Sequence, residues 1–560
     1  MKDQRTNLQG VSTFNWDTTY TTSFKVINEG IKHNSIAPTN FDYKEKVQLL
    51  SKNFACNLFG DSSTKMRDLF SSISDNAEVL ISGKWKGWNL YLKGNGSTIY
   101  LNLDIDNGSI ELTPLGKGDL SGGNIVAEVS LNIIENKDSQ TKCIVMGDNP
   151  EIKVSIYQYT FPKIGKGSFW DLLINGIFSH YLNTEGVISQ FKHVFATVTI
   201  NDKATGDFKW LEPSDLSYAV FSPDSGATED NSLFSMLCMT DNAKAPLNIQ
   251  KSIDSQVFQG INKDANAVLC ISPQKFSEHI LIKTSKELFK GSSDSDFKYS
   301  TDGMEIYNVQ ELVMKNVEVN NGVLKDLKIS AGNYTIRIMN DHLETIITNA
   351  TYHESLYDVY INFNQKLRFE TKQMPDNSFI FIPMKGDYYN ATTHVEVEPT
   401  KTAEIMQWVG IAIDIISALT LIGGGAIKGL AKITSSSTRI AAEAETSSIV
   451  AETAVVAETA ERLVQGTTKG ISIANSLMIG STVCGVIGLG LSLPSVIAEA
   501  IAKEDFSKIP TLNNFSSYLL SNLQWTGVKN TELKGARLND AFLLDFYVNV
   551  GDDPKSPTDK

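Results

Sequence analysis

The spacing of large apolar residues near the start of the chain predicts an amphipathic helix. After Trp16, such residues follow at steps of four, four, three and four positions: Tyr20, Phe24, Ile27 and Ile31. This spacing puts their side chains on one face of a helix. Pro38 ends the pattern, because proline disfavours helical backbone in the residue before it. We therefore predict a helix over residues 16–33, with its apolar face against a sheet.

Alternation of apolar and polar residues begins at Glu78 and predicts antiparallel strands. Within 78–115 the alternating segments are separated by GNG at 94–96 and DNG at 106–108, which is typical of hairpins with one buried face. The pattern continues to residue 159, and a second alternating region covers 309–383. Helices are predicted between these regions, at 168–193 and after Ser272-Pro273, where proline suits the first helical position.

Two long apolar segments follow Pro399. Segment 405–427 has one charge, Asp414, and segment 470–498 has none. Both exceed the ~18 residues that span a bilayer. They fit an apolar helical hairpin that enters membranes, and they also fit helices packed on each other or on the sheet. Glycines at 423–425 and Pro494 favour the packed alternative.

Two blocks of sequence carry a family resemblance. The first is Trp16-Asp17 with the aromatic segment that ends before Pro38. The second is 206–240, where Trp210 and Pro213 precede a Tyr-x-x-x-Ser-Pro pattern and an apolar strand. Together they resemble the OrfX-type accessory proteins of clostridial neurotoxin gene clusters. The resemblance implies the tubular lipid-binding (TULIP) architecture, a long twisted antiparallel sheet rolled around a helix.

We accordingly predict an α+β fold: a long twisted antiparallel β-sheet rolled around helices (TULIP-like), with a helical insertion near the C-terminus. Residues 1–167 would form the N-terminal helix and first meander. Residues 168–401 would form a helix and the second meander, and 402–505 the helical, apolar insertion. Residues 506–560 would return a strand, at 541–550, to the earlier sheet before a disordered tail.

Composition narrows the class of protein. Of the 560 residues, 41% are hydrophobic, which excludes a disordered chain. The net charge of −14 disfavours attraction to nucleic acid or anionic lipid. The cysteines are scattered and are expected to be reduced and buried: Cys56, Cys143, Cys238, Cys270 and Cys484. The first ten residues lack the apolar run of a signal peptide. We expect a bacterial protein that is cytoplasmic until it is released and that then acts extracellularly.

No motif for catalysis or for a metal site stands out in the sequence. The HExxH, GxSxG, Walker and Rossmann patterns are absent, and no Cys/His pair has metal-ligand spacing. His180 and His193 are expected to be ordinary surface or hydrogen-bonded residues. Trp85 and Trp88 stand beside turns, where they would cover a sheet edge or contact a lipid or partner. We expect no enzyme activity, no cofactor and no metal.

The resemblance implies binding of a lipid or of a partner protein. The candidate lipid-groove residues are Tyr20, Phe24, Ile27 and Ile31, which would hold an apolar ligand against the inner sheet face. They fit a filled core equally well. The expected partners are a lipid or other apolar ligand and sister proteins of a toxin locus, without nucleic acid. The expected role is a non-enzymatic component of a bacterial toxin gene cluster, contributing to toxin delivery or insecticidal activity.

Two alternative functions stay open at this point. The first is a membrane-active toxin that inserts the apolar helical hairpin 405–498, in which case the protein contacts membranes. The second is a protein assembly module without a lipid ligand, whose exposed sheet edges recruit sister proteins.

Overall fold

Antiparallel β-sheets make up most of the described structure. The computed structural model describes residues 10–46, 77–113, 116–136, 140–146, 153–200, 208–314, 317–319, 322–324, 327–353, 357–384, 387, 392–399, 509 and 511–550. The predicted α+β fold class, with long antiparallel sheets and helices packed on them, is confirmed.

The strands are numbered in chain order. They are β1 (Thr18–Ser23), β2 (Asn40–Lys46), β3 (Glu78–Gly96), β4 (Thr98–Leu112), β5 (Gly116–Asp119), β6 (Asn124–Val129), β7 (Asn132–Asn136), β8 (Thr141–Val145), β9 (Ser155–Thr160), β10 (Val194–Thr199), β11 (Pro213–Phe221), β12 (Leu233–Thr240), β13 (Ala267–Ile271), β14 (Phe297–Tyr299), β15 (Glu305–Asn308), β16 (Leu312–Val313), β17 (Val317–Val319), β18 (Gly322–Leu324), β19 (Lys328–Ile329), β20 (Tyr334–Met339), β21 (His342–His353), β22 (Tyr357–Gln373), β23 (Phe379–Pro383), β24 (Thr392–Pro399), β25 (Leu523–Trp525), β26 (Val528–Leu538) and β27 (Phe542–Val550).

The helices are short and lie between strands. They are α1 (Phe24–Asn34), α2 (Phe169–Leu182), α3 (Pro273–Phe276), α4 (Ile282–Lys286) and α5 (Asn513–Asn522). A π-helical segment, Ser277–Leu281, joins α3 to α4. As predicted, a helix starts after Ser272-Pro273, and the Ser272 hydroxyl accepts a hydrogen bond from the Lys275 amide at 3.3 Å.

Among the described residues the largest sheet has twelve strands. Its order is β26-β27-β13-β1-β12-β11-β3-β4-β6-β9, with β2 paired to β3 and β5 to β4. A four-stranded sheet has the order β25-β10-β8-β7. A nine-stranded sheet, which contains β14–β16 and β19–β24, follows farther along the chain, and β17 pairs with β18. The twelve-stranded sheet takes strands from the first, second and last of the predicted segments.

The predicted helix over 16–33 is wrong in its first half. Residues Thr18–Ser23 form β1, which pairs with β12 on one side and β13 on the other. Four of these six residues are threonines, whose branched Cβ favours extended backbone. A step of four between apolar residues also fits alternation, so spacing alone could not separate the two structures. The helix begins at Phe24 and runs to Asn34.

The C-terminal strands pair with earlier strands of the chain, as predicted for 541–550. β27 pairs with β13, with Leu269 opposite Leu544. β25 pairs with β10, with Ala196 opposite Trp525. The twelve-stranded and four-stranded sheets are therefore both completed by residues near the end of the chain.

The predictions about membrane-spanning segments and about the cysteines concern residues that the structure describes only in part. Within the described residues, no helix combines the length and apolar character needed to cross a bilayer. The predicted apolar segments 405–427 and 470–498 lie outside those residues. Cys238 and Cys270 are buried free thiols, as expected, and burial raises both pKa values to about 12. Cys143 is half-buried and free, whereas Cys56 and Cys484 lie outside the described residues.

Candidate ligand-binding interior

The four predicted groove residues meet in one interior cluster. Tyr20 lies on β1, and Phe24, Ile27 and Ile31 lie on the inner face of α1. None is more than 4% exposed. The strand ends at Ser23 and the helix begins at the next residue, so one short stretch of chain supplies all four side chains to the same cluster.

Aromatic side chains extend this cluster between the twelve-stranded and four-stranded sheets. Successive ring centroids are 4.8 to 6.2 Å apart. We call this set the aromatic row: Tyr20, Trp525, Phe234, Phe195, His193, Trp88, Phe191 and Trp85. Rings in offset or edge-to-face contact pack well with apolar groups. The row therefore gives the interior a continuous apolar lining.

Two buried polar atoms of the aromatic row, Trp88 Nε1 and His193 Nδ1, have no hydrogen-bond partner in the described part of the chain. The Tyr20 hydroxyl, in contrast, interacts with Thr531 and Trp525, and Trp85 interacts with the Tyr181 hydroxyl. An unpaired buried polar group costs about 1–3 kcal/mol. Because native proteins pair nearly all such groups, two exceptions on rings 6.0 Å apart call for a functional explanation. These atoms would suit a guest that is mostly apolar but carries a few polar atoms.

The titratable groups of the aromatic row are neutral at pH 7. Burial raises the pKa of Tyr20 above its ordinary value. Burial lowers the pKa of His193 to about 4. Neither side chain therefore brings a charge into the interior, which keeps it suited to apolar ligands.

A cleft of about 510 Å³ lies on the other side of α1. Its walls carry charges of both signs, including Lys25 and Glu29 of α1 and Lys534 of β26. Lys25 pairs with Asp230 at 3.5 Å, and Lys534 pairs with Glu532 at 2.7 Å. None of the four predicted groove residues lines this cleft. The predicted residues belong to the closed interior, and the open cleft is a separate, polar feature.

A second polar cluster lies at the start of β1. The Asp17 carboxylate accepts hydrogen bonds from the amide and hydroxyl of Thr240, and burial raises the pKa of Asp17. Nearby, Lys275 lies 3.7 Å from Glu278, and the His279 ring stacks on Trp210 at 4.4 Å. Across the described ranges no group of three or more His, Cys, Asp and Glu is arranged to hold a metal ion.

Sequence reasoning missed several members of the aromatic row. Trp85 and Trp88 lie on β3, and both side chains point inside and are only 7% exposed. The register of β3 shifts between Trp85 and Gly87, which puts both tryptophans on the inner face despite their odd spacing. His193, expected to be a surface or hydrogen-bonded residue, is 5% exposed. The apolar residues on either side of it in the sequence, Phe191 and Phe195, were the signal that His193 is buried.

Comparison with known proteins places this fold. A family model described as OrfX-like, "Protein OrfX2/OrfX3/P47", matches residues 61–478. Protein OrfX3 of Clostridium botulinum (strain Kyoto / Type A2) is 23% identical over 317 residues, which are 51% of this chain and 57% of that protein. Protein OrfX3 of Paraclostridium bifermentans is 24% identical over 318 residues, with the same shares. The match thus spans little more than half the length of these curated relatives.

Two solved structures share the fold over nearly the whole chain. P47 from Clostridium botulinum A2 aligns with a TM-score of 0.54 and 13% identity, covering 96% of this chain and 98% of P47. P47 of Clostridium botulinum E1 aligns with a TM-score of 0.52 and 14% identity, covering 95% and 99%. Because the family model covers well over half of the sequence, the resemblance seen in the sequence is confirmed, and this chain belongs to the OrfX-like family.

Proposed function

We propose that this protein is a non-enzymatic component of a bacterial toxin gene cluster that binds a lipid or another apolar ligand in its interior. The family membership supports the toxin-cluster setting. The aromatic row, with its unpartnered Trp88 Nε1 and His193 Nδ1, is the observation that carries the ligand-binding proposal. An acyl chain would pack on the rings, while an ester or carboxyl oxygen would accept a hydrogen bond from the Trp88 indole N–H.

The interior would take up such a ligand by separating the two sheets. The aromatic row is contributed by β1, β3 and β12 on one side, and by β10, the segment just before it and β25 on the other. β25 has only three residues and pairs with β10 over three positions. It is therefore the short element whose displacement would open the interior next to Tyr20 and Trp525.

Binding of a partner protein is the second candidate function, and one observation favours it. On edge strand β7, Ile133 is 38% exposed and Ile134 is 54% exposed. Neighbouring residues of a strand point to opposite faces, so β7 is uncovered on both sides at this point. An exposed apolar edge strand can pair with a strand of another protein.

Mass spectrometry of solvent extracts tests the lipid proposal directly. We expect purified full-length protein to release a lipid that is absent from extracts of an unrelated protein purified in the same way. Trp88→Phe removes one unpartnered N–H while keeping a ring in the row. Loss of one hydrogen bond, worth about 1 kcal/mol, would lower lipid retention about fivefold.

Trp16→Phe is the matched control for that variant. Trp16 lies in a different cluster, and its Nε1 already donates to the Gln250 carbonyl at 2.9 Å. It should retain as much lipid as the unmodified protein, provided that circular dichroism shows both variants folded. Absence of any specific lipid from the unmodified protein would overturn the proposal and would leave partner binding through β7 as the better account.

A further inference from the structure

Three tyrosines form a cluster on the outer face of the twelve-stranded sheet, opposite the interior. Leu90 of β3 and Leu101 of β4 are only 1% and 0% exposed, so they point inward. Their neighbours in the sequence, Tyr91 and Tyr100, therefore point outward. Tyr157 on β9 is 45% exposed. Its ring centroid lies 6.4 Å from that of Tyr91 and 5.1 Å from that of Tyr100. We call these three residues the tyrosine cage.

Hydrogen bonds fix two of the three rings in place. Gln158 Nε2 donates to the Tyr91 hydroxyl at 2.8 Å. The Tyr100 hydroxyl donates to Glu128 Oε2 at 3.2 Å. Rings that are held in this way lose little freedom when a ligand binds, which is the condition for a preorganised site.

The tyrosine cage already holds a cation. The ammonium of Lys93 lies 4.0 Å from the ring centroid of Tyr157 and 5.6 Å from that of Tyr100. The hydrogen bond with Tyr157 raises the pKa of Lys93, so this ammonium stays protonated. Glu128 and Asp224 act electrostatically on Tyr100 and Lys93 respectively, and they add negative potential around the rings.

We propose that the tyrosine cage is a binding site for a quaternary ammonium group such as that of choline, and that Lys93 occupies the position of this group in the unliganded protein. Aromatic faces attract cations, and quaternary ammonium ligands are the class that aromatic cages recognise best. Such a group needs no hydrogen-bond acceptors and is weakly hydrated, so it competes well with a lysine that keeps its water.

Calorimetric titration of the full-length protein tests the chemical class. Choline chloride and tetramethylammonium chloride are expected to bind, and the neutral carbon isostere of choline is not. Because shape is the same in choline and its isostere, the difference between them isolates the charge. Equal binding of the two, or no binding of choline to any variant, would overturn the proposal.

Substitutions at Lys93 and Tyr157 test the geometry. Lys93→Gln empties the cage and is expected to raise choline affinity about three- to tenfold, the range set by cation–π energies. Lys93→Arg keeps a cation there and should give no gain. Tyr157→Leu should lower affinity by a similar factor, and Tyr157→Phe should preserve it because the ring remains. An unchanged affinity in Lys93→Gln would contradict the role given to Lys93.

Vesicle sedimentation separates the two sources of a choline group. Binding to phosphatidylcholine vesicles that free choline reverses, and that Tyr157→Leu weakens by the same factor, would identify a lipid headgroup as the ligand. Binding of free choline without vesicle binding would identify a soluble ligand. Both outcomes support the tyrosine cage. Trp88→Phe changes the interior and leaves the outer face of the sheet unchanged, so the test of the cage is independent of lipid in the interior.

Discussion

At the scale of single residues, His193 shows how burial sets the chemistry of this interior. Its ring lies 4.8 Å from that of Phe195 and 6.0 Å from that of Trp88. Burial lowers its pKa to about 4, because a charged imidazolium there would lose its hydration without gaining a partner. The folded protein therefore keeps this side chain neutral over most of the pH range in which an unfolded histidine titrates.

We predict that the protein loses stability as the pH falls from 7 to 5. The pKa of His193 is 6.5 when unfolded and about 4 when folded, so the unfolded state binds more protons between these values. The contribution of neutral His193 is complete above pH 6.5 and is lost as the pH falls towards 4. Linkage gives about 2 kcal/mol between pH 7 and pH 5. Urea unfolding at the two pH values measures it.

Replacement of His193 identifies the source of this pH dependence. His193→Phe should remove about 2 kcal/mol of the loss between pH 7 and pH 5. Burial lowers the pKa of His279 to about 3, so His279 accounts for the rest of the stability loss in this variant. The control is His33→Gln, which removes an exposed histidine. A His193→Phe variant that loses as much stability as the unmodified protein would refute the assignment.

The sequence predicted which residues of the first segment are buried, but it did not predict the residues that they contact. The spacing of Tyr20, Phe24, Ile27 and Ile31 showed that these residues share a buried face, and the structure buries all four. The partner of Tyr20 is Trp525, at the far end of the chain. Nothing in local periodicity can reveal a contact between residues so distant in sequence, because periodicity reports only what lies along one element.

At the scale of elements, local signals predicted the helix start at Ser272-Pro273 and misread β1. A capping hydroxyl followed by proline acts within four residues, so its effect does not depend on the rest of the fold. β1, in contrast, is extended because β12 and β13 pair with it on both sides. Tertiary hydrogen bonding decided between two conformations that the apolar spacing allowed.

Gly303 shows how closely a loop approaches the start of α3. Its φ is +74°, and a Cβ there would lie 2.7 Å from the Pro273 carbonyl carbon and 2.5 Å from Gln274 Cα. The Ser277 hydroxyl donates to the Gly303 carbonyl at 2.6 Å, which fixes the loop against the π-helical segment. Both the backbone conformation and the space therefore require glycine at this position.

We predict that Gly303→Ala lowers the free energy of unfolding by about 3 kcal/mol, the sum of a positive-φ cost and of overpacking against backbone. Gly332→Ala is the matched control. Gly332 has φ +80° and no atom within 4 Å of an added Cβ. It should lose only about 1 kcal/mol, the conformational part. Chemical denaturation of both variants measures the difference, and equal losses would show that the close approach is not limiting.

At the scale of the whole molecule, both sheets around the aromatic row depend on the end of the chain. β27 completes the twelve-stranded sheet beside β13, and β25 completes the four-stranded sheet beside β10. The alternation in the sequence predicted that strand 541–550 returns to the sheet. It could not predict the strand order, because side-chain alternation specifies a buried face and leaves the choice of neighbour open.

This arrangement predicts different outcomes for two deletions. Replacement of 402–505 by a flexible Gly/Ser linker should preserve cooperative thermal unfolding, because β25, β26 and β27 are retained. Truncation after residue 401 should abolish it, because Tyr20 loses its contacts with Trp525 and Phe546. Calorimetry of both proteins beside the full chain measures the outcome. Loss of the transition in the linker protein would contradict the predicted insertion at 402–505.

The position of β1 between β12 and β13 has a consequence for biosynthesis. Thr22 in β1 donates a hydrogen bond to the Asn266 carbonyl, which lies 244 positions later. At about 5–20 residues per second, translation needs about 12–50 s to deliver that neighbour. For most of this interval, until β12 is made, both edges of a threonine-rich strand are unpaired, so the nascent chain should be a strong client of ribosome-associated chaperones until β13 emerges.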